Sequence, residues 1–160
     1  MLRASKIFYN PLIFPGKKLV IFPVNDNSDV TKAEGGNHWS LLAFERDANV
    51  FVHHDSYGGM NKGHAKRLYK AVVGYMETSS KATNGGYVEC SSNPQQANGY
   101  DCGLYVAAIA EAICCWYKNG GPKDEEGLWF SAVTEQVVPS VVADMRNKIL
   151  GLIRSFMATK

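Results

Sequence analysis

The stretch that most constrains this chain is residues 104–117, LYVAAIAEAICCWY. Thirteen of its fourteen residues are apolar, counting Tyr and Cys, and Glu111 is the exception. A helix that is apolar all round has to be wrapped by other elements. It is too short to cross a bilayer, which takes about 20 apolar residues, and no other run comes near that length. The rest of the chain must therefore supply a sheet and further helices that bury it.

The remaining segments read accordingly. Residues 18–24 (KLVIFPV) are apolar and β-branched and predict a strand. Residues 25–37 are polar and Gly-rich and predict an exposed loop. Residues 38–45 and 50–55 predict two more strands, and the short turn at 46–49 between them makes a β-hairpin. A second turn spans 56–59. Over 62–77, Ala65, Leu68, Tyr69, Val72, Val73 and Met76 recur at helical spacing. A loop is expected at 79–86, a short strand at 87–90, a turn-rich connection at 91–99 and a polar loop at 118–127. Val141, Val142, Met145, Ile149, Leu150, Ile153 and Phe156 mark a last helix, with Pro139 near its start, where a missing N–H costs little. Strands and helices mix with no repeat and no linker, an α+β single domain.

Composition narrows the function classes. With 160 residues, 46% hydrophobic and 20% charged, the chain is the size of one globular domain. A net charge of +2 is too small to suggest a nucleic-acid or membrane-surface protein. The N-terminal stretch is interrupted by Asn10, Pro11 and Pro15 and is read as mature sequence, not a leader. Cys90, Cys102, Cys114 and Cys115 form no C-x-x-C pair, which suggests a reducing compartment, cytosol or nucleus. No four ligands cluster at zinc spacing, so no metal and no cofactor is expected. The oligomeric default is a monomer.

Cys102 stands apart from the other cysteines. It lies in Asn98-Gly99-Tyr100-Asp101-Cys102-Gly103, at the mouth of the buried helix, with Asp101 as a plausible N-cap. Free N–H groups and the positive end of the dipole favour a thiolate there, and the thiolate is the nucleophilic form. Gly99 and Gly103 leave room for a substrate backbone. Cys90, Cys114 and Cys115 read instead as small buried residues, the commoner fate of a free cysteine.

A base is at hand on the hairpin. With the turn centred on Asp47 and Ala48, facing residues sum to 95, so Ser40 faces Asp55 and His38 faces Tyr57. His38 and Asp55 are then diagonal neighbours on one face, about 7–8 Å apart at the backbone, a gap an imidazole and a carboxylate can close. A register slip of one residue would part them. His53 shares the face of Asp55 and lies near the site, His54 points the other way, and His64 starts a helix. Gln95-Gln96 offers a side-chain amide for a developing oxyanion, although spacing alone favours an ordinary polar turn.

At these residues the sequence resembles a known family. Gly36-Asn37-His38-Trp39-Ser40-Leu41-Leu42, then His54-Asp55-Ser56, then Pro94-Gln95-Gln96-Ala97-Asn98-Gly99-Tyr100-Asp101-Cys102-Gly103 is similar to the ubiquitin-like-protein proteases, the sentrin/SUMO-specific cysteine proteases and their deneddylase relatives. Val24-Asn25-Asp26-Asn27-Ser28-Asp29, the loop to Gly35-Gly36, and His64-Ala65-Lys66 resemble the deneddylase branch. The likeness runs from about Phe8 to about Tyr117.

The resemblance implies a papain-like cysteine protease fold, with a central mixed sheet flanked by helices and the nucleophile at the N-terminus of a buried helix. It implies Cys102 as nucleophile, His38 as base and later acid, Asp55 as the group orienting His38, and Gln96 as the oxyanion-hole glutamine. Trp39 would line the tunnel that holds a modifier's C-terminal Gly-Gly, since only glycines are thin enough for an aromatic-walled passage. The implied activity is cleavage after that Gly-Gly, of the neddylation modifier or alternatively of SUMO, in both deconjugation and precursor processing. Partners would be the modifier and its conjugates, with no nucleic acid and no membrane. Relatives carry a helical segment with a W-L-N-D-type motif before the region like Phe8, and this chain is expected to be shortened there. A modifier-binding module with weak turnover is the second reading that follows.

Overall fold

A computed structural model describes residues 14, 16–29, 31–32, 34–76, 86–120 and 127–158. The loop expected at 79–86 falls outside them except for Gly86, as does most of that expected at 118–127. Four strands form one sheet in the order β1 (Leu19–Asn25), β2 (Trp39–Glu45), β3 (Val50–His54) and β4 (Gly86–Glu89). The first three are antiparallel, and β4 runs parallel to β3. A parallel neighbour needs a crossover. It contains α1 (Lys62–Val72), which ends in a 3-10 turn at Val73–Tyr75.

The hairpin register is the expected one: Leu41 faces His54, Leu42 faces His53 and Ala43 faces Val52. The turn is closed by local bonds. Glu45 Oε2 accepts the Ala48 N–H at 2.6 Å, and Asn49 takes a left-handed φ of 50°, which asparagine tolerates better than most residues. Arg46 fastens the turn to its surroundings by donating to the carbonyls of Phe14, Lys17 and Met76.

Each face of the sheet has its own core. Phe22, Val24, Leu42, Phe44 and Phe51 pack against Ala65, Val72 and Met76 on the α1 side. Leu41, Ala43 and Val52 pack on the other side against α2 (Cys102–Lys118), through Tyr105, Ala108, Ile109, Ala112 and Ile113. Burying a side chain such as Leu41, wholly inaccessible here, is worth about 1.5–3 kcal/mol. Two further helices, α3 (Phe130–Gln136) and α4 (Pro139–Ala158), lay Val133, Val142 and Met145 on that second core.

The burial expected of three cysteines needs correction. Cys114 and Cys115 are exposed, and Cys90 is half-buried. The sheet covers only the face of α2 that carries Ala108, Ile109, Ala112 and Ile113, so the cysteines of its last turns lie off the covered face. The last helix is present, and its apolar positions are covered only as far as Ile149, which packs partly buried on the second core. Val142 and Met145 are buried, whereas Leu150, Ile153 and Phe156 are exposed. The fold is otherwise the expected α+β arrangement, and α3 was not anticipated. Among the described residues no helix is long and apolar enough to cross a membrane.

Candidate active site

His38 immediately precedes β2 and Asp55 immediately follows β3, so the hairpin register sets them at the same end of the sheet. Their side chains meet. His38 Nε2 lies 2.7 Å from Asp55 Oδ1, and both residues are buried. A bond this short between ring nitrogen and carboxylate is of the charge-assisted kind.

The carboxylate is itself held. Asp55 Oδ1 accepts the Tyr57 N–H at 2.9 Å, and Oδ2 accepts the Asn61 N–H at 2.8 Å. The turn that makes this possible passes through Gly58 and Gly59, with φ of 60° and 77°, a conformation glycine adopts without penalty.

The backbone of His38 is anchored from the loop before β2. Asp26 Oδ1 accepts the N–H groups of Asn37 and His38, at 2.6 and 3.0 Å. Burial pushes the Asp26 carboxyl upward, but its backbone hydrogen bonds, those from His38 and Asn37 first, together with the nearby His38 ring hold the group below its ordinary value. Gly36, with φ of 79°, lets this loop close. A Cβ there would collide with Asn25 Oδ1 and Asp26 Oδ1.

Gln96 is tied to the residue after the acid. Its N–H donates to the Ser56 carbonyl at 2.8 Å, and the Ser56 hydroxyl donates to Gln96 Oε1 at 2.7 Å. The Gln96 amide nitrogen donates to the Asn98 carbonyl at 2.6 Å. Gln95 bonds the same turn, giving its amide N–H to the Asp55 carbonyl and accepting the Gly58 N–H. The hydroxyl of Tyr105, one turn into α2, donates to the Gln95 carbonyl at 3.1 Å. That contact fastens the mouth of α2 to the segment that carries Gln96.

Cys102 is the first residue of α2 and is 6% exposed. Leu104 and Tyr105 give their N–H groups to the Asp101 carbonyl, while the N–H of Cys102 belongs to the set a helix start leaves unpaired within the helix. Asp101 stands at the N-cap position but does not cap. Its φ and ψ, −93° and 4°, lie outside the extended region that capping uses. Its carboxylate instead pairs with Arg146 and accepts from Asn98 Nδ2, each at 2.7 Å. Trp39, the first residue of β2, is 43% exposed.

The other histidines are occupied. His53 lies 2.7 Å from Glu89 through Nδ1 and 2.9 Å from Ser40 Oγ through Nε2. With Asp55, Lys62 and Glu89 it lines a cavity of about 350 Å³. His54 is on the opposite face. Trp129 Nε1 donates to His54 Nε2 at 2.9 Å, so the ring proton sits on Nδ1 and goes to Asn93 Oδ1 at 2.8 Å. Burial lowers the His54 pKa to about 4. Among the described residues no group of three His, Cys, Asp or Glu side chains is placed to hold a metal ion.

Asp26, Ser56 and Asn61 were not singled out by the sequence reading. Their contacts join residues far apart in the chain, and no local spacing marks them. The one signal in the sequence is the place of Asn61 just ahead of the helix at 62–77, where a cap residue would stand.

The chain is 48% identical over 153 residues to NEDD8-specific protease 1 of Arabidopsis thaliana, covering 96% of this chain and 66% of that protein. It is 40% identical over 108 residues to Sentrin-specific protease 8 of Homo sapiens, covering 68% of this chain and 49% of that one. It thus spans about half to two thirds of these relatives. Among solved structures, a SUMO protease Ulp1 with its catalytic cysteine oxidised to a sulfenic acid superposes with a TM-score of 0.54. That match covers 88% of this chain and 54% of the other at 21% identity, a likeness of fold alone. With residues 2–120 matching the C-terminal catalytic domain of the Ulp1 proteases, the chain belongs to the Ulp1 protease family.

Proposed function

We propose that this chain carries the active centre of a thiol isopeptidase that cuts after the C-terminal Gly-Gly of a ubiquitin-like modifier, the neddylation modifier in particular. The observation that carries the reading is the buried 2.7 Å contact between His38 and Asp55, in a family member whose α2 begins with Cys102. A relative named a NEDD8-specific protease supports the choice of modifier.

The chemistry is the Cys–His–Asp variant of the triad. Asp55 engages Nε2 of His38, which leaves Nδ1 to take the proton of the Cys102 thiol. The thiolate attacks the carbonyl of the terminal glycine. The side-chain amide of Gln96 and the N–H of Cys102 stabilise the oxyanion. His38 then protonates the departing lysine amine, and water, activated by the same ring, releases the acyl group from sulfur. Trp39 walls the passage that takes the two glycines. Asp55 orients the ring and balances the imidazolium when it forms.

Incubation with modifiers that bear a C-terminal electrophile tests this directly, beside a Cys102→Ala control. A covalent adduct with the neddylation modifier, lost in the control, is the expected result. Capture of SUMO alone would overturn the choice of modifier, and reversible binding without an adduct would overturn catalysis.

A further inference from the structure

One residue serves both the base and the acid, although no motif announces it. Asn61 stands at the N-cap position of α1, where an asparagine ordinarily bonds the free N–H groups of the first turn. It makes no such bond. The residue is fully buried and turns inward. Its Nδ2 donates to the carbonyls of Val24 and His38, each at 3.2 Å, and its backbone N–H donates to Asp55 Oδ2. Its Oδ1 is a buried side-chain oxygen without a partner among the described residues. Reversing the amide would set that oxygen against two carbonyl oxygens, so the neighbours dictate its orientation.

The local arrangement forgoes a helix cap and leaves an acceptor unsatisfied. Each is unfavourable to folding. What the arrangement achieves is a fixed distance between two strand ends, because the residue whose N–H holds the carboxylate also holds the backbone that carries the ring. Asn25 contributes to the same carbonyl, its Nδ2 lying 3.2 Å from the His38 oxygen.

We propose that Asn61 is a positioning residue: its side-chain amide fixes the His38 backbone relative to Asp55 and so keeps the ring seated on the carboxylate. The kinetic part of this inference rests on the peptidase reading above, and the structural part does not.

The test compares Asn61→Ala, Asn61→Ser, Asn25→Ala and the Asn25→Ala/Asn61→Ala double variant, each in the chain as it stands. With a fluorogenic C-terminal amide of the neddylation modifier as substrate, Asn61→Ala lowers kcat five- to twentyfold and leaves KM within twofold. Asn61→Ser restores a hydroxyl that can cap the first turn. It therefore regains thermal stability over Asn61→Ala without regaining kcat. The double variant loses more than the product of the single losses, because both amides serve one oxygen. A readout free of turnover is the ¹H–¹⁵N spectrum of histidine-labelled protein. The His38 Nε2–H resonance shifts or broadens in Asn61→Ala, while the Nδ1–H resonance of His54, held between Trp129 and Asn93, stays in place.

A folded Asn61→Ala protein with unchanged kcat and an unmoved His38 resonance overturns the inference. If Asn61→Ala does not fold, Asn61→Ser decides it, since its hydroxyl can cap the first turn while the amide bond to the His38 carbonyl is lost: an unmoved His38 resonance there overturns the proposal and a moved one supports it. If the wild type shows no peptidase activity at all, the functional reading fails while the His38 spectrum still decides this one.

Discussion

The Ser56 hydroxyl donates to the Gln96 side-chain oxygen at 2.7 Å, and the Gln96 N–H returns a bond to the Ser56 carbonyl at 2.8 Å. This reciprocal pair joins the acid-bearing turn to the proposed oxyanion donor. With its oxygen so occupied, the amide of Gln96 has its N–H₂ end determined. Replacing Ser56 by Ala removes one buried hydrogen bond, worth about 0.5–1.5 kcal/mol. We expect kcat to fall about three- to tenfold with KM little changed, and Ser56→Thr to keep most of the activity. Steady-state kinetics on a modifier amide checks both.

Asp55 accepts three bonds, from the His38 ring and the N–H groups of Tyr57 and Asn61. Asparagine there keeps one accepting oxygen and turns an NH₂ toward donors. It would also favour the wrong tautomer of His38. We expect Asp55→Asn to slow turnover by roughly a thousandfold or more, as in triads of this kind. Stability should fall by about 1–3 kcal/mol, the cost of the unpaired donor. Turnover rates and urea unfolding measure the two effects separately. Near-normal turnover would contradict the role assigned to Asp55.

His54 supplies a pH signature of its own. Burial lowers its pKa in the folded state to about 4 from the ordinary 6.5, so between those values the unfolded chain binds more protons. Its contribution to stability is complete above about pH 6.5. It is lost progressively as pH falls toward 4, by about 3 kcal/mol in all. Denaturant unfolding between pH 7 and 4 should show this decline in the wild type, and His54→Gln should flatten it.

Gly36 has φ of 79° and no room for a Cβ beside Asn25 and Asp26. Alanine there would strain the backbone by about 1–3 kcal/mol and displace the carboxylate that holds the His38 N–H. We expect Gly36→Ala to lower both the melting temperature and kcat. Gly16→Ala is the control, because a Cβ there meets nothing, although its φ of 81° carries similar strain. Equal losses of activity in the two variants would deny Gly36 its link to His38.

How much of this was legible in the sequence follows from the range of each interaction. His38 and Asp55 were legible because a hairpin is local: a four-residue turn and two apolar runs fix which residues face each other. The helix at Cys102–Lys118 was legible because its composition allows no other fate, although composition could not say which side the sheet would cover, hence Cys114 and Cys115. The parallel placement of β4 is a long-range pairing that four residues cannot encode by themselves. The seven residues of α3 are too few to display a period. Asp26 and Asn61 look like loop and cap residues, and only the folded chain brings their polar atoms to the backbone of His38.

Leu41 and Leu42 are chain neighbours, yet one faces the α2 core and the other the α1 core. The middle of β2, with Phe51 and Val52 of β3 beside it, is therefore a party wall between two compartments. A change of volume on one side cannot be absorbed without pressing on the other. A saturation scan should find its deepest intolerance across residues 41–44, and laboratory evolution of either compartment would have to revise both together.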